Sequence, residues 1–315
     1  MSKIANDNPL EGDADAHPDD LILPFQLESS GVRGRLVRFG PVLDRIMAAH
    51  DYPGQVAALV VEGLVVTGLL SSTLKYDGIF TLQLCGEGAV KTLVSDMTSD
   101  GAIRGYAAFD ADALPDRGDL KDMTGKGYLA FTVDQGAHTD RYQGIVALDS
   151  DSLAQSVAHY FDQSEQIGTS LHIHVEQCDA GQWRGGGLML QRLPEDERFD
   201  LVKGVTSIAE TGRDQRDEDW NRAQILGETV KPEELIDSQI SAEELLIRLF
   251  HEEGVRVFDP QAIFHACRCS AERVRTVLQG LPQEDLDYSA KDGVIEITCE
   301  FCSRGYSFDI DEFKK

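Results

Sequence analysis

Two close cysteine pairs, Cys267-Arg-Cys269 and Cys299-Glu-Phe-Cys302, lie 29 residues apart near the C-terminus and constrain this chain more than any other feature. A helix pattern at Ala271 to Gln279 and a hairpin-like segment, with strand patterns at Val294 to Thr298 and Tyr306 to Ile310, allow the pairs to converge. The stretch from Gly254 to Lys315 is only about 60 residues long, which is marginal for an apolar core without a staple. Zn2+ accepts four thiolates tetrahedrally at about 2.3 Å, and a closed shell of four cysteines marks a structural rather than a hydrolytic site. Cys267, Cys269, Cys299 and Cys302 are therefore the candidate ligands of one Zn2+ per chain in the reduced state. Such a centre is doubly negative, and Arg268, Arg273, Arg275, Lys291 and Arg304 crowd the same region.

The chain as a whole is acidic: 29 Lys+Arg face 55 Asp+Glu, a formal charge of −26, while 42% of residues are hydrophobic. That apolar content suits a folded protein. Nucleic acids and anionic membranes are bound mainly through Lys and Arg, so the charge argues against both and leaves proteins, cations or small molecules as partners. The longest apolar run, Val56 to Leu70, is interrupted by Glu62. It falls short of the roughly 20 residues of a membrane span and reads as a buried helix or strand. The N-terminus has no apolar signal core, so the cytoplasm is the expected compartment. Disulfides are disfavoured there, and clustered cysteines point to metal or redox chemistry.

The expected fold class is α+β. Residues 1–21 read as a disordered acidic tail. Residues 22–194 read as an α+β core, with strands at Phe80–Leu84, Gly127–Val133, Leu171–Val175 and Gly187–Gln191 and helices at Pro41–His50, Gly54–Leu70 and Ser152–Gln163. Residues 195–253 read as a charged helical linker with few apolar anchors. Its Ser241-Ala-Glu-Glu244 has capping-box spacing ahead of Leu245, Leu246, Leu249 and Phe250. Residues 254–315 form the small zinc-binding unit.

Several segments together resemble the 33-kDa heat-shock protein family of redox-regulated, ATP-independent chaperones. They are Cys267-Arg-Cys-Ser-Ala-Glu-Arg-Val274, Gly293-Val-Ile-Glu-Ile-Thr-Cys-Glu-Phe-Cys302 and Tyr306-Ser-Phe308. Leu82-Gln-Leu-Cys-Gly-Glu-Gly88, Arg104-Gly-Tyr106, Tyr160-Phe-Asp-Gln-Ser-Glu-Gln166 and Gly186-Gly-Leu-Met-Leu-Gln-Arg-Leu-Pro194 are similar to the family's core segments. The resemblance covers about residues 22 to 315; Arg268, the acidic extension, Cys85 and Cys178 depart from it. It implies a dormant, reduced, zinc-bound form. Oxidation by peroxide or hypochlorous acid releases the zinc, unfolds the switch and exposes surface for unfolded or oxidatively damaged clients. It further implies oxidised pairs Cys267–Cys269 and Cys299–Cys302, and leaves a homodimer of the oxidised form open.

Other features carry blander readings. Gly185-Gly-Gly187 lacks the lysine and hydroxyl of a phosphate loop. His172 and His174 alternate on one strand face, His265 is surplus to a complete tetrahedron, and Cys85 and Cys178 read as small buried hydrophobes. No Gly-x-Ser-x-Gly elbow occurs, so no enzyme is expected. The rivals are a zinc-ribbon nucleic-acid or transcription-associated module, which the charge opposes, and a thiol oxidoreductase. The latter would place its C-x-x-C at a helix N-terminus, whereas Cys299 follows a strand pattern.

Overall fold

The computed structural model describes residues 17–135, 142–192 and 213–314. Most of the expected N-terminal tail, and residues 195–212 of the linker, lie outside them. Strands β1 (Leu21–Leu27) and β2 (Val32–Phe39) pair antiparallel and lead into helices α1 (Pro41–Met47) and α2 (Gly54–Ser71). An antiparallel run of β3 (Ile79–Gly86), β4 (Val90–Thr98) and β5 (Ala102–Phe109) follows. Next come α3 (Leu120–Thr124), β6 (Gly127–Asp134), β7 (Tyr142–Ala147), α4 (Leu153–Tyr160), β8 (Thr169–Gln177) and β9 (Trp183–Arg192). The linker contributes α5 (Arg213–Glu228), α6 (Pro232–Ile236) and α7 (Ala242–Phe250). Beyond it lie β10 (Val255–Val257), β11 (Gln261–Ala262), β12 (Phe264–His265), α8 (Ala271–Gln279), α9 (Gln283–Ser289), β13 (Ala290–Lys291), β14 (Val294–Thr298) and β15 (Gly305–Asp309). The fold is α+β, as expected.

The strands make two six-stranded sheets and a small third one. The first runs β10-β1-β2-β9-β8 with β11 also on β1, the second β12-β5-β4-β3-β6-β7, and the third β13-β14-β15. The apolar run seen in the sequence is α2, which packs against strands of both large sheets. A helix apolar all round must be covered all round, and 78% of α2 is buried. The helix extends the run to 18 residues, so by length and composition alone it would pass for a membrane span, against the expectation that it is too short; its burial makes it the core helix between two sheets. The Gly185–Gly187 run serves this packing and not phosphate. A Cβ on Gly187 would stand 2.8 Å from Val65 Cγ1, and one on Gly186 2.4 Å from the Leu235 carbonyl oxygen. Helices on both faces of β9 can thus approach its backbone.

The far face of the first sheet corrects the expectation of few linker anchors. Leu23, Phe25, Leu27, Val32, Leu36, Leu188 and Leu190 form one buried cluster with Trp220, Ala223, Val230, Leu235, Ala242, Leu245, Leu246, Leu249 and Phe250 of the linker. The Phe25 and Phe250 rings stack at 5.9 Å. Polar pins reinforce the seat. The buried Arg38 guanidinium donates to the carbonyls of Leu235 (3.1 Å), Glu234 (2.9 Å) and Ile240. Glu253, 4% exposed, accepts from Arg222 at 2.5 Å and from Ser29, and Arg222 first, against burial, holds its carboxyl below the usual range. Only half of the expected capping box forms: Ser241 Oγ accepts from the Glu244 amide at 3.1 Å, while the Glu244 carboxylate turns to Arg248 at 2.5 Å.

Residues 255–265 pass from the first sheet to the second. Val255–Val257 and Gln261–Ala262 pair with β1, then Phe264 and His265 pair parallel with Ala102 and Ile103 of β5. This crossing delivers the chain to Cys267 already fixed at both sheets.

On α2, burial pushes the Glu62 carboxyl up to about 7, opposed by the amides of Ala154 and Leu153 that donate to it. A carboxyl that holds its proton more tightly folded than unfolded supports the fold in acid, and that support is lost as pH rises through about 7. Glu62→Gln should therefore match the parent near pH 4 and exceed it by up to about 3 kcal/mol near pH 8. Urea denaturation of both proteins across this range is the check, and a pH-independent difference would contradict it.

Candidate metal centre

Each thiol pair is placed by local structure. Cys267 and Cys269 follow β12 and end at Ser270, whose Oγ caps α8 by accepting from the Arg273 amide at 3.2 Å. Cys299 and Cys302 lie in the turn joining β14 and β15. The turn is closed by Cys299 N–H to Arg304 O and Ser303 N–H to Cys299 O, both 2.9 Å, with Ser303 in the left-handed region at φ 55°. The four Sγ atoms lie within 4.8 Å of one another. Cys267 to Cys299 is 3.7 Å and Cys269 to Cys302 is 3.4 Å. Four sulfurs at about 2.3 Å from a tetrahedral zinc would stand about 3.8 Å apart, so the spacing fits that ion.

The electrostatics fit a cation as well. Burial raises the Cys299 and Cys302 thiols, and the neighbouring sulfurs Cys267 and Cys269 raise Cys299 further. Burial also opposes ionisation of Cys267, but the Cys269 amide, the adjacent thiols and Arg104 bring it below its ordinary value. Thiolates packed this closely repel one another, and a shared divalent cation removes that conflict. The Tyr306 hydroxyl donates to Cys269 Sγ at 3.1 Å. Below the sulfurs the unit's own apolar cluster buries, among the described residues, Leu278, Leu286, Ile295, Phe308, Ile310 and Phe313.

The basic residues expected around the centre are mostly engaged elsewhere. Arg268 binds Asp96 at 2.8 Å, Arg273 donates to the Arg268 carbonyl, and Arg275 pairs with Glu312. Burial opposes the charge of Arg304, but Tyr306, Cys269 and Cys302 beside it favour that charge. The cation that reaches the sulfurs from the core sheet is Arg104, whose Nη1 is 3.7 Å from Cys267 Sγ. Arg104 also lies 3.7 Å over the Phe301 ring, and Tyr106 meets that ring edge-on at 4.7 Å. The register of β4 against β5 aligns Asp96 with Arg104, a contact that no local sequence pattern announces.

The remaining candidates stand apart from the four-thiol cluster. His265 is half-buried, and burial, then Arg45 and Arg104, disfavour its protonation. His172 meets Ser170 at 3.1 Å and lies near Gly227 of α5, so it is not on a freely solvated face. His174 is 3.4 Å from Glu176. Cys85 and Cys178 are half-exposed and not buried hydrophobes; Cys178 sits in the turn after β8.

Fold and site together define a two-sheet α+β core that carries, docked on one sheet, a small four-thiol unit able to hold a metal ion. Comparison with known proteins places that class. The family model described as Hsp33 protein matches residues 20–309, and the chain belongs to that family. A 33 kDa chaperonin of Caulobacter vibrioides is 37% identical over 301 residues, covering 92% of this chain and 95% of its own. One of Shigella flexneri is 36% identical over 291 residues, covering 92% and 93%. The crystal structure of the Thermotoga maritima 33 kDa chaperonin superposes with a TM-score of 0.76 at 23% identity, covering 94% of this chain and 96% of that one.

Phe301 is the apolar contact between the turn and the core. In a double-mutant cycle, Phe301→Ala and Tyr106→Ala should couple by about 0.5–1.5 kcal/mol, as edge-on aromatic pairs do. Additive effects on the urea midpoint would show that the rings do not interact.

Proposed function

We propose that this chain is a redox-regulated, ATP-independent holdase. In its reduced form Cys267, Cys269, Cys299 and Cys302 hold one Zn2+ and the protein is dormant. The convergence of four oxidisable thiols beside a small cluster of six buried apolar side chains carries this reading. A structural zinc can contribute on the order of 10–16 kcal/mol to such a unit, far more than its core supplies. Oxidation therefore removes the principal stabiliser of residues 254–315. Loosening then spreads to the linker helices, and the apolar face now under α5–α7 becomes available to unfolding clients. The linker's own charge and the net −26 keep the opened protein in solution.

The oxidised pairs are assigned as Cys267–Cys269 and Cys299–Cys302, following the family resemblance. Bridges within each motif close tiny loops and leave the opened chain free, whereas cross-motif bridges would enclose about 30 residues and restrain it by roughly 3 kcal/mol or more. The compartment assigned is the cytoplasm, and no catalytic turnover is assigned.

Metal analysis of the reduced protein should give one zinc per chain. Each single Cys→Ser change among the four should weaken retention at least about tenfold. A zinc-free reduced protein, or retention by the four-fold Ser variant, would refute the ligand set.

With a thermally unfolding client and no ATP, peroxide-treated protein should suppress aggregation and the reduced zinc form should not. The Cys85→Ser, Cys178→Ser variant should switch normally. Equal suppression by both forms would refute the switch, and a dominant Cys269–Cys299 or Cys267–Cys302 bridge in non-reducing peptide maps would refute the pairing.

A further inference from the structure

Between the four-thiol unit and the core lies a small charged cluster that the holdase reading does not use. Asp96 on β4 is 3% exposed and is shared by two guanidiniums. Arg104 on β5 meets its oxygens at 3.0–3.1 Å through Nε and Nη2, and Arg268, from between the first two cysteines, meets it at 2.8 Å. One carboxylate cannot balance two cations, so the cluster keeps one positive charge at a place where the arginine side chains are only 14% and 18% exposed. Arg268 Nη1 is buried without an acceptor among the described residues. The remaining Nη1 of Arg104 is directed to Cys267 Sγ at 3.7 Å, and its guanidinium covers Phe301 between the second pair of cysteines. Arg104 thus touches both cysteine motifs while standing on the core.

We propose that Arg104 is a positioning residue whose guanidinium, set by Asp96, holds the four-thiol unit on the second sheet by the negative charge of the thiolates. The inference rests on the metal reading above, because a zinc tetrathiolate carries two net negative charges. With those charges present, the surplus cation of the Arg104–Asp96–Arg268 cluster is matched. Hydrogen peroxide removes them: each thiolate pair gives up two electrons, one S–S bond forms, the O–O bond breaks, and two protons from solvent complete two water molecules. Zinc leaves as the dication. The sulfurs are then neutral, and the half-buried cluster is left with an uncompensated cation, which disfavours the docked arrangement. Docking and thiolate charge are therefore coupled through one side chain of the core. The seams that open include the parallel pairing of Phe264 and His265 with β5, the Phe301 contact and the Ser303 hydroxyl donated to the Ala49 carbonyl.

The test uses the full-length, reduced, zinc-loaded protein and the variants Arg104→Gln and Arg104→Lys, read by residue-resolved amide hydrogen exchange. The docking reporters are the amides of Phe264 and Ala266, which donate to Gly101 O and Ile103 O of the core. The internal controls are Val274 and Ile310, whose amides are bonded within the unit to Ser270 O and Gly293 O. In Arg104→Gln the two reporters should exchange at least tenfold faster while the controls and the zinc content stay at parental values. Arg104→Lys, which keeps the charge but not the fork, should fall between. Parental exchange at Phe264 and Ala266 in zinc-loaded Arg104→Gln would overturn the inference alone. So would joint loss of control protection and zinc, since Arg104 would then support the unit's own fold. A parent chain without zinc would overturn the metal reading and this inference with it.

Discussion

The first sheet is apolar on both faces, and the arrangement of everything around it follows from that constraint. One face is closed by α2, which the second sheet covers in turn. The other presents Leu23, Phe25, Leu27, Val32, Leu36, Leu188 and Leu190, a continuous apolar surface that is costly to leave in water. Among the described residues it is the linker that covers it. This is why a segment as charged as 213–253 nevertheless seats Trp220, Leu245, Leu246 and Phe250 in a buried cluster. Polar pins reinforce the same seat. Arg38 supplies one by satisfying three linker carbonyls at once, and Glu253 supplies another.

What the sequence displays and what it conceals separate by range. The two thiol pairs, the limits of α8 and those of β14 depend on spacing within a few residues, and each is legible. The seated linker is misread because its anchors, Trp220 and Ala223 on α5, are diluted by acidic neighbours. Charge density hides a helical stripe that only the opposing sheet makes meaningful. Arg104 is visible as part of a family-like segment, but its partners are set by strand register and by the crossing at 255–265, neither of which has a local signature. The basic residues near the cysteines in sequence are an unreliable guide for the same reason: proximity along the chain is not proximity to sulfur. The reciprocal arm of the Ser241 cap fails because an (i, i+4) partner, Arg248, competes for Glu244.

The crossing segment decides how the parts communicate. Glu253 ends the linker with a buried carboxylate paired to the exposed Arg222, β10 and β11 follow on β1, β12 lies on β5, and Cys267 comes next. Linker clamp and first thiol are thus separated by a short run that is hydrogen-bonded almost throughout. A displacement at the sulfurs cannot be absorbed by slack chain before it reaches β12, and a displacement of β12 is felt at β1 through β11. If the proposed switch operates, this set of strand pairs is the element through which it would be coupled.

Local stability then sets the order in which such a molecule opens. Regions with few buried contacts open at lower free energy than the global fold. On the proposed reading the four-thiol unit, whose own apolar cluster has six buried side chains among the described residues, is the lowest rung once its sulfur chemistry changes. The linker is next, since its seat is broad but its last pin, Glu253, adjoins the crossing. The α2 core, enclosed by two sheets, is the highest. On the proposed reading, a metal–thiolate staple would suit the first rung because its contribution could be removed and restored by chemistry at four atoms. A larger apolar core would give equal stability with no such handle. The core helix needs no handle, and it has none: the cysteines nearest to it in sequence, Cys85 and Cys178, are half-exposed and lie outside its packing.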